Sequence, residues 1–138
     1  MSDVQIRDLR IDGPDGNEIA AVTALARAEG WPTFADPALL CQLAAAPGTL
    51  TLVAIRPSVP APGIIGFAHA LTNGHHAYLS VVAVDSTMRG QGVGRQLVAA
   101  IFENSGVERL DLLSGSESAG FYDRLPNRQM TGYRLFPT

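Results

Sequence analysis

Val4-Gln5-Ile6-Arg7-Asp8-Leu9 alternates apolar and polar residues with period two, the pattern of a strand with one buried face. After Gly13-Pro14-Asp15-Gly16 the period lengthens. Ile19, Val22, Leu25 and Ala26 recur at three-to-four spacing, which predicts an amphipathic helix over 17–29 ended by Gly30. Asp36-Pro37 has the form of an N-cap followed by proline at the first helical position, and Leu39, Leu40 and Leu43 then share a face up to Pro47-Gly48. Residues 49–56 favour a strand, 57–63 a proline-rich loop and 64–71 another strand. Asn73-Gly74 predicts a hairpin that turns this strand back into a long apolar one reaching about Val84. A loop with three glycines covers 85–94, and Leu97, Val98, Ile101 and Phe102 mark one face of a helix lasting to about Asn104. A short buried strand at 109–113, a short helix at 117–124 and a closing strand at 130–136 complete the order. That order predicts an α/β or α+β plan in one domain spanning 1–138.

At 138 residues the chain has the length of one ordinary domain, and 46% hydrophobic with 17% charged residues is globular. Ten basic against thirteen acidic side chains give −3, which argues against a nucleic-acid partner, where a basic face is expected. All ten basic residues are arginine. The absence of lysine removes Schiff-base chemistry, pyridoxal-phosphate anchoring and the P-loop lysine together. The single Cys41 excludes internal disulfides and a multi-thiolate zinc site, so no metal is expected, and with no basic neighbour it reads as packing rather than as a nucleophile. Two uncharged stretches, 37–55 and 57–84, are interrupted by proline and glycine and do not read as membrane spans. The start shows no charged segment followed by an apolar run, so a cytoplasmic setting is expected.

Chemistry concentrates at Arg89-Gly90-Gln91-Gly92-Val93-Gly94-Arg95, between a buried strand and an amphipathic helix. Free N–H groups at a helix N-terminus point outward, the dipole adds partial positive charge, and glycines let an oxygen approach the backbone. A dinucleotide fingerprint would place its third glycine one residue later, and a P-loop needs the absent lysine. A glycine-rich turn carrying two solvated arginines is the bland alternative.

The run from Val82 to Leu97 resembles the acyl-CoA signature of the GNAT superfamily of N-acetyltransferases, [Q/R]-x-x-G-x-[G/A] after an apolar strand, with Arg89, Gly92 and Gly94 at its specified positions. Ala119-Gly120-Phe121-Tyr122 is similar to the family's late motif. The resemblance implies a mixed, mostly antiparallel sheet of about six or seven strands flanked by about four helices. It also implies acetyl-CoA as co-substrate: pyrophosphate on the backbone of Arg89, Gly90, Gln91, Gly92, Val93 and Gly94, with Arg95 as countercharge. The pantetheine arm would lie along Val82, Ala83 and Val84, with Phe121 and Tyr122 nearby. The Val82 N–H would face the thioester oxygen as oxyanion donor, and Tyr122 would be the general acid for the departing thiolate.

The implied reaction is acetyl transfer to a primary amine of a small molecule or peptide, by direct attack in a ternary complex. A non-catalytic acyl-CoA sensor or scaffold is the alternative, and a transferase acting on charged tRNA a third reading. No Asp or Glu lies between His75 and Val84, where family members often carry a base, so Glu29, His75, His76 or water remain candidates. His75 and His76 also read as solvated turn residues, and Tyr122 as an ordinary half-buried tyrosine. Trp31 and Phe34 could wall an acceptor pocket or plug the core. The late helix departs from the family, with Leu125 followed by Pro126-Asn127-Arg128. Either a monomer or a homodimer is compatible, the apolar final strand being able to pair at a sheet edge.

Overall fold

Asp15 and Glu18 start the first helix by capping each other. The Asp15 carboxylate accepts from the Glu18 N–H at 2.8 Å, and the Glu18 carboxylate accepts from the Asp15 N–H at 2.9 Å. Arg7, on strand β1 (Gln5–Asp8), adds a two-pronged ion pair to Glu18 at 2.7 and 2.8 Å and donates to the carbonyls of Ile11 and Gly13. One guanidinium thus fixes the β1 exit and the start of α1 (Gly16–Glu29). The same contact holds the buried Glu18 carboxyl below its ordinary range. Gly30 closes α1 in the left-handed conformation, and Asp36 caps α2 (Pro37–Ala45) with Pro37 in its first turn.

The computed structural model describes residues 3–58 and 63–138; positions 59–62 of the expected proline-rich loop lie outside the described residues. Strands β2 (Thr49–Ile55), β3 (Ile64–Thr72) and β4 (Ala77–Val84) follow, then α3 (Val93–Ser105), β5 (Leu110–Asp111) and α4 (Ala119–Asp123). The sheet order is β1-β2-β3-β4-β5. The first four strands pair antiparallel, and β5 joins β4 in parallel. The Asn73-Gly74 turn is present, but its loop spans 73–76, because the Asn73 side chain accepts from the N–H groups of both His75 and His76 at 2.9 Å.

Strands β2 and β3 are apolar on both sides because both faces are covered. On one face Leu50, Leu52, Ile65 and Ala68 pack with Leu97 and Ile101 of α3. On the other, Val53, Phe67 and Ala83 meet Val22 and Ala26 of α1, Leu40 of α2 and Phe34.

The structure departs from the expected pattern at the C-terminal end. Residues 130–136 form no strand: Met130, Tyr133, Leu135 and Phe136 are exposed, and the segment joins no sheet. Apolar alternation there satisfies a strand's side chains, but no neighbour supplies the backbone ladder.

Candidate functional site

Two strands that separate create the opening. β4 and β5 pair only at Ala77 with Leu110 and Tyr78 with Asp111. From Leu79 onward, no strand among the described residues covers the outer edge of β4. The separation coincides with an irregularity: His69 faces Val81 and Ala70 faces Leu79, so Ser80 is an extra residue in β4. Beyond it the Asp85 N–H donates to Ile65 O at 2.7 Å. Antiparallel alternation then assigns Val81 and Ala83 to the β3 ladder and turns the N–H and C=O of Val82 and Val84 into the gap.

At the end of β4 a single 3-10 turn, Ser86–Met88, leads into the glycine segment. Gly90 (φ 79°) and Gly92 (φ 84°) are left-handed, a backbone that residues with a Cβ adopt at a cost. Gly92 is the N-cap of α3, and no side chain caps it, so the first-turn N–H groups face outward at the positive end of the helix. Gly94 serves packing. A Cβ there would meet the Phe121 ring at 3.1–3.2 Å, so its absence lets α4 seat against α3.

Charged groups frame this cradle. Arg89 donates to Val84 O at 3.3 Å and pairs with Glu29 Oε1 at 2.7 Å, which ties the segment to the end of α1. Arg95 is exposed on the first turn of α3. The Thr87 hydroxyl and N–H hold the Asp85 carboxyl below its ordinary range, so it stays ionised. Arg56, at the end of β2, escaped the sequence reading. Its Nη1 donates to Gln91 Oε1 at 2.9 Å and reaches Met88 Sδ at 3.3 Å, bracing the segment from below. Its Nε lies 3.0 Å from Asp3 Oδ1 as an ion pair, although that N–H is not aimed at an acceptor. The signal was visible: Arg56 is the one charged residue between Pro37 and Val84.

Tyr122 is half-buried on α4, with its ring edge-on to Phe121 at 4.9 Å, and both pack against the cluster that holds Val82 and Val84. Burial raises its phenol above the ordinary value of 10.0, so the hydroxyl keeps its proton.

A shallow groove of about 300 Å³ adjoins Arg89 and is lined also by Ala21, Ala28, Glu29, Val84 and Asp85. A larger cavity of about 510 Å³ lies at the other end of the sheet, bordered by Arg10, Ala46, Gly48, Thr72 and Ser105. The 13-residue α3 separates its floor from the glycine segment by about 20 Å. Its polar side chains are occupied: Arg10 by Asp8 and Asn104 O, Thr49 by the carbonyls of Leu43 and Ala46. The glycine cradle, though shallower, is where charge and open backbone converge.

A family model, the acetyltransferase (GNAT) domain, matches residues 47–125, more than half of the 138 residues. The chain belongs to the GNAT acetyltransferase family. Solved GNAT-like structures share its fold. One from Deinococcus radiodurans R1, described as an acetyltransferase, is 24% identical with TM-score 0.74, covering 98% of this chain and 89% of that one. The aminoglycoside acetyltransferase AAC(6')-Iy, solved with a bisubstrate analog, CoA-S-monomethyl-acetylneamine, is 22% identical with TM-score 0.73, covering 99% of both chains. An aminoglycoside acetyltransferase from an uncultured soil metagenomic sample, solved with sisomicin, is 15% identical with TM-score 0.71, covering 99% of this chain and 97% of that one. No curated protein matches the sequence.

In this GNAT domain the open main-chain groups of Val82 and Val84 lead into the 89–95 segment, and Phe121 and Tyr122 pack against the same cluster as those valines, whereas Ala83, expected beside them, bonds to β3 and is buried with Phe67 and Val22, and Val93 is buried on the underside of α3. The expected acceptor residues do not all join them. His75 and His76 are exposed at the start of β4, about 20 Å along the strand from Val82. Their N–H groups serve the Asn73 turn. Glu29 is engaged by Arg89. Phe34 is buried against Phe67 and His69, and Trp31 stands edge-on to Phe67, so both aromatics fasten the α1–α2 connection to the sheet. Among the described residues no group of three or more His, Cys, Asp and Glu could hold a metal, and no helix is long and apolar enough to cross a membrane.

Proposed function

We propose that the protein transfers the acetyl group of acetyl-CoA to a primary amine of a small molecule or peptide, by direct attack in a ternary complex. One observation carries this reading: the open β4 edge at Val82 and Val84 runs into the uncapped, glycine-led N-terminus of α3. An extended arm bearing amides and ending in a diphosphate fits that pair. The amides extend the sheet along β4, and the diphosphate takes the N–H groups of 92–94 with Arg95 nearby. When bound, acetyl-CoA supplies an activated acyl group on a good leaving thiol.

The residues then divide the work. The Val82 N–H, turned into the gap, donates to the thioester oxygen as negative charge develops there, worth about 2.7–4 kcal/mol for one such donor. Tyr122, kept protonated by its burial, gives its proton to the departing sulfur. The amine nitrogen forms the new C–N bond as the C–S bond breaks, and its surplus proton leaves to water, since His75 and His76 stand too far off. The absence of a carboxylate between His75 and Val84 favours a second reading, an acyl-CoA binder without turnover.

Titration calorimetry with acetyl-CoA and CoA tests the site. Micromolar binding to the wild type, lost in a folded Gly92→Glu variant, is the expected result, followed by amine-dependent thiol release. No binding to the wild type sinks both readings, and binding without thiol release across a broad amine panel leaves only the second.

A further inference from the structure

Gln91 stands between two left-handed glycines, Gly90 (φ 79°) and Gly92 (φ 84°), just before α3. Glycine loses more conformational freedom than any other residue when it is fixed, so this stretch depends on side chains to hold its shape. Two do so from opposite flanks. Arg89 reaches Glu29 at the end of α1, a pair open to solvent, and Gln91 Oε1 accepts from Arg56 Nη1 at 2.9 Å.

Arg56 is held more firmly. Leu52 and Ala54 of β2 face the α3 side, and strand alternation carries Arg56 to that side as well. Its side chain is 16% exposed, with Asp3 Oδ1 3.0 Å from Nε, and its backbone N–H donates to Gly63 O at 2.8 Å. Met88 Sδ lies 3.3 Å from the same Nη1 that serves Gln91. A guanidinium this deep costs desolvation, and its Nε is the one buried side-chain polar atom without a hydrogen bond among the described residues. What Arg56 contributes is position: it joins the end of β2 to a residue 35 places further along the chain.

We propose that Arg56 is a positioning residue for CoA, a role that rests on the acetyl-CoA reading above. Through Gln91 it keeps the 90–92 backbone in the shape that presents the first N–H groups of α3 to the diphosphate. A cradle that holds this shape for only about one-tenth of the time binds about tenfold more weakly, because apparent affinity scales with the competent fraction.

Calorimetry with CoA on the full chain tests this with two variants and their combination. Arg56→Met keeps an unbranched stem and removes the donors, and Gln91→Leu keeps the guanidinium and removes its acceptor. Each alone is expected to weaken CoA binding about five- to tenfold, and the double variant no further, since both break one contact. Pantetheine, which carries the arm without the diphosphate, is expected to bind the wild type and every variant alike by saturation-transfer NMR. A wild type that does not bind CoA overturns the acetyl-CoA site itself. Where the wild type binds, either single variant at wild-type affinity, losses that add in the double variant, or an equal loss for pantetheine overturns the positioning role. Gln91 is exposed, so its replacement spares the fold whatever Arg56→Met does.

Discussion

Arg89 and Glu29, 60 positions apart, meet at 2.7 Å, so the glycine segment and the last turn of α1 share one ion pair. Arg89 is 59% exposed and Glu29 31%, so the pair contributes under about 1 kcal/mol to stability. Its larger effect is on the charge that a diphosphate would meet in the proposed site.

Glu29→Gln releases the Arg89 guanidinium from its carboxylate. CoA is expected to bind about three- to tenfold more tightly in low salt, with the gain shrinking as ionic strength rises. Calorimetry at two salt concentrations reads this directly. Unchanged affinity in low salt would show that Arg89 does not face the diphosphate.

Gly94→Ala places a methyl 3.1–3.2 Å from the Phe121 ring. Alanine is the better helix former by about 1 kcal/mol, which offsets the crowding, so the melting temperature is expected to move little. Catalysis is not protected in the same way. The shift of Phe121 carries Tyr122 with it, and kcat is expected to fall well before stability does.

Tyr122→Phe removes the proposed proton donor while keeping the ring. A kcat loss of roughly 100-fold with CoA affinity unchanged is expected, the low end for a general acid. Burial raises this phenol above 10.0, so wild-type activity should show no alkaline loss from Tyr122 below that pH. A Phe variant with full kcat would assign the tyrosine to packing alone.

His69 governs a stability prediction. It is 2% exposed, hydrogen-bonded through Nδ1 to Thr51 Oγ1 at 2.8 Å, and packed against the tilted ring of Phe34 at 5.2 Å; burial lowers its pKa from 6.5 to about 4. The folded chain therefore binds fewer protons than the unfolded chain between those values. Stability is complete above about pH 6.5 and declines as pH falls toward 4, by on the order of 2–3 kcal/mol. Urea midpoints across this window measure the slope. His69→Gln, which can still bond Thr51 but does not titrate, is expected to flatten it.

Residues whose structure is set by near neighbours were legible in the sequence. The Asp36 cap and the Gly30 stop fall where local pattern places them, because each depends on a few adjacent residues, whereas the Asp15 cap escaped that reading and α3 begins at Val93, inside the expected loop 85–94. The glycine cradle was legible for the same reason. The β4 bulge at Ser80 was not, since a register shift is a property of two strands and leaves no mark on one. The pairing of Glu29 with Arg89 joins distant segments and was equally hidden. The failure at 130–136 has the opposite origin: alternation reports what a side chain needs, and pairing also needs a neighbouring edge.

The wall formed by Val82 and Val84 consists of main-chain N–H and C=O groups, which every amino acid but proline carries alike. Substitution can therefore rewrite this strand almost freely without erasing what it offers.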